Sequence, residues 1–161
     1  MAKRSRKIKI LHDYREKRPW DDVYFGDDFE VDAVNMKTGD YTVEGMEDIV
    51  RIEKKANWEE IMLNLSKKKN RINFIKELRR MQKYPIRLLL VQDSMDRICH
   101  MKLHNVHTTP MMVMSFLSDI VVDYGVTLIP VGTRIKSKIF IRDIFRKIHD
   151  GNKSGTLFLY K

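Results

Sequence analysis

Asp40 and the run Glu53-Lys54-Lys55 are the residues whose types and spacing could do chemistry. On a strand, residues two apart share a face, so Glu53 and Lys55 would point one way and Lys54 the other. An acidic residue in the turn entering the same hairpin, Asp40, would then meet Glu53 across it. Two carboxylates converging beside a lysine can hold a divalent cation and a water against a phosphodiester. The cation would neutralise charge developing on the phosphate and lower the pKa of its water. The lysine would orient that water or stabilise the transition state electrostatically. Spacing alone leaves a second reading open, since surface strands often alternate Glu and Lys as cross-strand ion pairs.

Positioning those residues requires strands that end beside one another. Lys7 to Asp13 and Phe29 to Met36 alternate as strands, the latter with Phe29, Val31 and Ala33 on one face, and Arg15 to Asp28 reads as a polar loop between them. Lys37-Thr-Gly-Asp40 is a turn, and Tyr41 to Glu44 and Ile49 to Lys55 read as antiparallel strands joined through Gly45, giving a hairpin meander. Asn57 is a candidate cap for a helix carrying Trp58, Ile61, Met62 and Leu65. A second helix carries Ile72, Ile75, Leu78 and Met81 before Pro85 stops it. Ile86 to Val91 and Val126 to Val131 are apolar runs suited to strands buried on both faces. Between them, Thr109 as N-cap, Pro110 at the first position and Gly125 beyond the end punctuate a helix. A last helix from Thr133 is expected to bury Ile135, Ile139, Ile144 and Ile148, turning Arg134, Lys136, Lys138, Arg142, Arg146 and Lys147 outward. The sum is an α/β or α+β fold around one mixed sheet.

At 161 residues the chain fits one domain. Lys plus Arg number 31 against 22 Asp plus Glu, and the resulting charge of +9 points to a polyanionic partner, with nucleic acid foremost. The longest apolar run, Met111 to Val122, is cut by Ser115, Ser118 and Asp119, so no membrane span is expected. The basic start MAKRSRKIK lacks the apolar stretch of a secretory signal, and reads as a targeting segment, a phosphate-binding arm or a solubilising tail. A single cysteine, Cys99, excludes an internal disulfide framework and suits a reducing, cytoplasmic compartment.

HDYREKRPW at 12–20, MKTGDY at 36–41, RIEKK at 51–55, WEEIMLNL from 58, and NFIKELRRMQKY at 73–84 leading into IRLLLVQ resemble, in that order, the nuclease domain of the XPF family. That family comprises structure-selective DNA endonucleases with a restriction-endonuclease-like, PD-(D/E)XK core. Its D-x-R-E, L-x-x-G-D-Y and E-R-K strings are matched by Asp13 to Glu16, Met36 to Tyr41 and Glu53 to Lys55, and its downstream acid by Glu59 or Glu60. YGVTLIPVGTR and the helix after it resemble the family's closing strand and helix, so the likeness covers about residues 7–150.

The resemblance implies an α/β fold in which a central mixed β-sheet is flanked by helices. It further implies that Asp40 and Glu53 bind Mg²⁺ or Mn²⁺ and that Lys55 acts on the attacking water. Arg15 would clamp a phosphate, and Asp13 or Glu16 would complete the metal shell, unless Arg15 and Glu16 form a structural ion pair. Lys54 replaces the family's arginine. With residues 1–9 as a basic tail, 10–150 as the nuclease and 151–161 as a C-terminal tail, no room is expected for the helix-hairpin-helix module that many family members carry. A homodimer or a partner protein could position substrate instead. Lys67, Lys68, Lys69 and Arg71, extended by Arg79, Arg80 and Lys83, are candidate DNA-backbone contacts or a solvated face.

Cys99, His100, His104 and His107 lack the second cysteine pair of a zinc site, and a polar loop with capping or phosphate-donating histidines is the simpler reading. Met111, Met112, Met114 and Phe116 are expected in the core, with a dimer interface as the alternative. The function that the resemblance implies is a metal-dependent endonuclease for branched, flapped or single-stranded-containing DNA in recombination or repair, in a bacterial or phage setting. The alternatives are a catalytically silent nuclease fold that binds DNA or docks a partner, and a nuclease for RNA or for single strands generally.

Overall fold

A computed structural model describes residues 7–101 and 108–157. The elements run β1 (Ile8–Asp13), α1 (Asp22–Phe25), β2 (Phe29–Val34), β3 (Tyr41–Val43), β4 (Val50–Lys55), α2 (Trp58–Ser66), α3 (Lys68–Met81), β5 (Ile86–Val91), α4 (Met95–His100), α5 (Pro110–Val122), β6 (Thr127–Pro130) and α6 (Arg134–Ser154). The strands form one sheet in the order β2-β1-β3-β4-β5-β6. β3 is antiparallel to both β1 and β4, whereas β1–β2, β4–β5 and β5–β6 are parallel. The expected mixed sheet is present, but it is no simple meander: β2 lies outside β1, and β3 returns to pair with β1.

Alternation along the strands divides the core in two. Ile10, Tyr41, Val50, Ile52 and Leu90 point to the side covered by α1 and α6, against Trp20, Phe25, Phe29, Ile141 and Phe145. Leu89 and Val91 point to the side of α2–α5, against Trp58, Ile61, Phe74, Leu78 and Leu117. Helix ends follow their capping chemistry. Asn57 accepts the Glu60 N–H at the start of α2, and Thr109, ahead of Pro110, accepts that of Met112 at the start of α5.

Three expectations are corrected. The 15–28 segment is not simply a polar loop: Trp20, Tyr24 and Phe25 are buried, Asp21 caps α1, and the Trp20 N–H donates to the Tyr41 hydroxyl at 2.8 Å. In α6 the buried face is Ser137, Ile141, Phe145 and Ile148, while Ile135 and Ile139 are 88% and 81% exposed. Ser137 sits inward because its hydroxyl meets that of Tyr24 at 3.2 Å, which turns the first two isoleucines to solvent. In α5, Val113, Leu117 and Ile120 form the core, and Met111 and Met112 are exposed. The boundaries differ as well, since β1 starts at Ile8 and α6 runs to Ser154. Within the described residues no helix is long and apolar enough to cross a membrane.

Candidate active site

The register that pairs Tyr41 with Ile52 sets Asp40 opposite Glu53 at the mouth of the β3–β4 hairpin. Tyr41 and Ile52 are committed to the α6-side core, so Asp40, Glu53 and Lys55 emerge together on the α2–α3 side. The backbone locks this arrangement. Asp40 donates its N–H to the Ile52 carbonyl at 2.8 Å, its carbonyl accepts from the Asp13 N–H at 2.8 Å, and its carboxylate accepts the Lys54 N–H at 2.7 Å. The three side chains line a cleft of about 740 Å³, whose opposite wall is α2–α3 with Asn64, Asn70, Asn73, Phe74 and Glu77.

Lys55 Nζ lies 2.8 Å from Glu53 Oε1 and 3.4 Å from Glu60 Oε1, with the Phe74 ring 5.0 Å away. Burial alone would lower the Lys55 ammonium, but Glu53 and Glu60 outweigh it and hold the group above its usual value. Both acids respond the other way. Burial, and then the charge of Glu53, pushes the Asp40 carboxyl well above the carboxylate range; burial also raises Glu53, against the pull of Lys55. Glu60 faces the cleft and accepts the Ala56 N–H, whereas Glu59 turns away to pair with Arg97.

Lys54 takes the other face, as alternation requires. Its Nζ sits 5.5 Å from the Trp20 ring, 3.1 Å from Glu16 and 2.5 Å from the Arg18 carbonyl. Asp13 and Arg15 form a pair of their own: Asp13 accepts from the Arg15 N–H, Nε and Nη2 and from the Met36 N–H. Arg15 thereby holds the Asp13 carboxyl below its usual range. The expected alternative pairing, Arg15 with Glu16, is not made, and Asp13 and Glu16 both spend their hydrogen bonds away from Asp40 and Glu53. Arg15 still lines the cleft, with 62% of its side chain exposed.

The donor set suits a hard cation. Asp40 and Glu53 offer only oxygen, and among the described residues no group of three or more His, Cys, Asp or Glu is placed to hold a metal ion, so protein ligands there number two. Mg²⁺ and Mn²⁺ fit such a site, because one or two carboxylates commonly hold the former while water and substrate phosphate fill the remaining positions. Lys55, Glu60 and the Lys54 N–H would keep the two acids oriented.

Of the expected backbone contacts, Arg80 lines the cleft, while Lys67, Lys68, Lys69, Arg71 and Arg79 are exposed outside its lining. The cleft's other cations are Lys17, Arg18 and Lys37, which sequence reasoning passed over although they lie inside the very motifs it used. Glu77 and the asparagines carried no signal beyond their place on helices flanking the site. Of the cysteine–histidine group, Cys99 is exposed and His100 contacts the Asp96 carbonyl through Nδ1; His104 and His107 lie outside the described residues.

No protein-family model and no curated protein matches the sequence. Among solved structures, the chain is similar to XPF from Aeropyrum pernix, with a TM-score of 0.67 and 14% identity over 91% of this chain and 67% of that one. It is likewise similar to XPF from Aeropyrum pernix in complex with DNA, with a TM-score of 0.66 and 14% identity over 91% of this chain and 66% of that one. This chain thus spans about two thirds of their length. The fold of the chain is the restriction-endonuclease-like fold of XPF, with the candidate site set where β3, β4 and the α2–α3 pair meet.

Proposed function

We propose that this chain is a metal-dependent endonuclease that hydrolyses phosphodiester bonds in branched, flapped or single-stranded-containing DNA during recombination or repair. The observation that carries this reading is the convergence of Asp40, Glu53 and Lys55 in a cleft bordered by Arg15, Lys17, Arg18, Lys37 and Arg80, in the fold of XPF. The similarity to an XPF structure in complex with DNA supports DNA as the polyanion.

Asp40 and Glu53 would hold Mg²⁺ or Mn²⁺, which when bound supplies charge neutralisation at the phosphate and a more acidic water. Lys55, whose ammonium Glu53 and Glu60 hold above its usual value against burial, would supply positive charge. It would orient the water and stabilise the pentacovalent phosphate. The basic residues of the cleft would grip the backbone on either side without reading sequence. A second copy of the chain or a partner protein would position the branch, which the mass of the DNA-bound species measures.

A second reading is a catalytically silent DNA-binding or partner-docking module. It is favoured by the 2.8 Å contact of Lys55 with Glu53 Oε1, an oxygen that a cation would use. End-labelled single-stranded, duplex, flap and four-way DNA, with matched RNA, incubated with Mg²⁺ or Mn²⁺ separates these readings. Chelator-sensitive cutting is expected, with a loss of at least about 100-fold in Glu53→Ala and Lys55→Ala while binding survives. Binding without cutting on every substrate would leave the silent module standing, and cutting of RNA alone would replace DNA as the substrate.

A further inference from the structure

The main chain of Asp40 is fixed by the sheet, but the turn that delivers it, Lys37–Gly39, leaves the sheet and lies along α3. Gly39 adopts φ +69°, and a Cβ there would come 3.1 Å from the Ile52 carbonyl, so the turn has a single tight path. Glu77 Oε1 accepts the Gly39 N–H at 2.7 Å. One helical turn further on, Arg80 Nε donates to Thr38 Oγ1 at 3.1 Å, and its Nη2 pairs with the other oxygen of Glu77. Glu77 is the only acidic side chain in α3, an otherwise strongly basic helix. It lines the cleft, and its charge raises the Glu53 carboxyl.

The geometry points to Glu77 as a positioning residue for the cation site: it clamps the Thr38–Gly39 turn against α3 and so fixes where Asp40 presents its carboxylate. This inference rests on the metal-binding reading of Asp40 and Glu53. Both oxygens of Glu77 are engaged in the clamp, one by the Gly39 N–H and the other by Arg80. Its negative charge would add to the pull on a cation, but the clamp is the larger part of the role. Removing a partner that holds a metal ligand in place typically weakens metal affinity by about 10–100-fold.

Two measurements on the full chain test this: calorimetric titration with Mn²⁺, and amide hydrogen exchange over residues 36–41 without metal. E77A is expected to lose about 10–100-fold in Mn²⁺ affinity and to exchange faster at Gly39, with an unchanged circular dichroism spectrum. In E77Q the amide oxygen still accepts from Gly39, so slow exchange and most of the affinity should be kept. R80A, which leaves Glu77 in place, should weaken binding less than E77A. E77A binding Mn²⁺ as wild type does would overturn the clamp. So would E77Q binding as weakly as E77A while Gly39 stays protected, since charge alone would then account for the loss. Wild type taking up no Mn²⁺ would overturn the metal reading and this inference together; in that case alone, a Gly39 amide protected in wild type and faster in E77A would show that the hydrogen bond forms but serves no cation.

Discussion

Asp40 is the residue on which the candidate site is most exposed to pH. Its carboxyl is raised by burial and by Glu53, so the folded, metal-free chain takes up a proton there at a higher pH than the unfolded chain does. The stability this group contributes is therefore complete below the ordinary carboxylate range and is lost as pH rises through its raised value. Asp40→Asn keeps an oxygen to accept the Lys54 N–H, and is expected to melt above wild type in metal-free buffer near neutral pH. Below the ordinary carboxylate range, where the acid is neutral in both folded and unfolded chains, the two should melt alike. Thermal unfolding from there to neutral pH checks it, and equal gaps at both ends would count against a raised carboxyl. That Asp40, Glu53 and Lys55 come together was legible from the sequence, because alternation sets Glu53 and Lys55 on one face and the hairpin turn brings Asp40 opposite Glu53. The partners of Glu16 and Glu77 were not, because they are set by how a loop and a helix pack, over separations that no local pattern encodes.

At the scale of elements, most helices and strands announce themselves through caps, Pro85 and apolar runs, and they stand where those signals put them. The misreadings share one cause, the weighting of residue type above residue partner. In α6 the isoleucines at 135 and 139 drew the buried stripe to the wrong side, while Ser137 lies inward because Tyr24 awaits it. In the 15–28 segment, abundant charge masked three aromatic anchors. Trp20→Ala or Phe145→Ala should each cost about 3–5 kcal/mol, read by denaturant unfolding. Ile135→Ala and Ile139→Ala should stay within about 0.5 kcal/mol of wild type, reversing the order that isoleucine spacing alone implies. Because Lys54 reaches from β4 to the Arg18 carbonyl and Glu16, Trp20→Ala should also loosen the cationic stretch that borders the cleft.

For the whole molecule, the net charge of +9 sets the expectation of a polyanion, and part of the positive charge stands at the rim of the cleft. Lys17, Arg18 and Lys37 are exposed and border the cleft, so each should add a phosphate contact. DNA affinity should fall steeply with salt, and Lys37→Ala or Arg18→Ala should each flatten the slope of log K against log salt by about one unit. Lys68→Ala and Lys69→Ala, outside the cleft lining, should change it less. Fluorescence anisotropy at several salt concentrations measures all four. The overall architecture was readable as a mixed sheet with helices on both sides, but the pairing of β1 with β3 was not, because strand order depends on contacts between segments distant in the chain.

The division of the core by the sheet bears on how such a protein can change over time. None of the buried apolar residues packed on the α6 side lines the cleft, whereas the opposite layer contributes Phe74 directly. The two sides are therefore under unequal constraint. One can drift through many volume-conserving exchanges, answerable only to packing, while the other must preserve a chemical geometry as well. Lys54 links the two layers, its N–H held by the Asp40 carboxylate and its ammonium by Glu16 and the Arg18 carbonyl beside Trp20. A lineage that kept this link and the hairpin beside it could lose nearly all recognisable sequence elsewhere and still hold the same three groups in the same place.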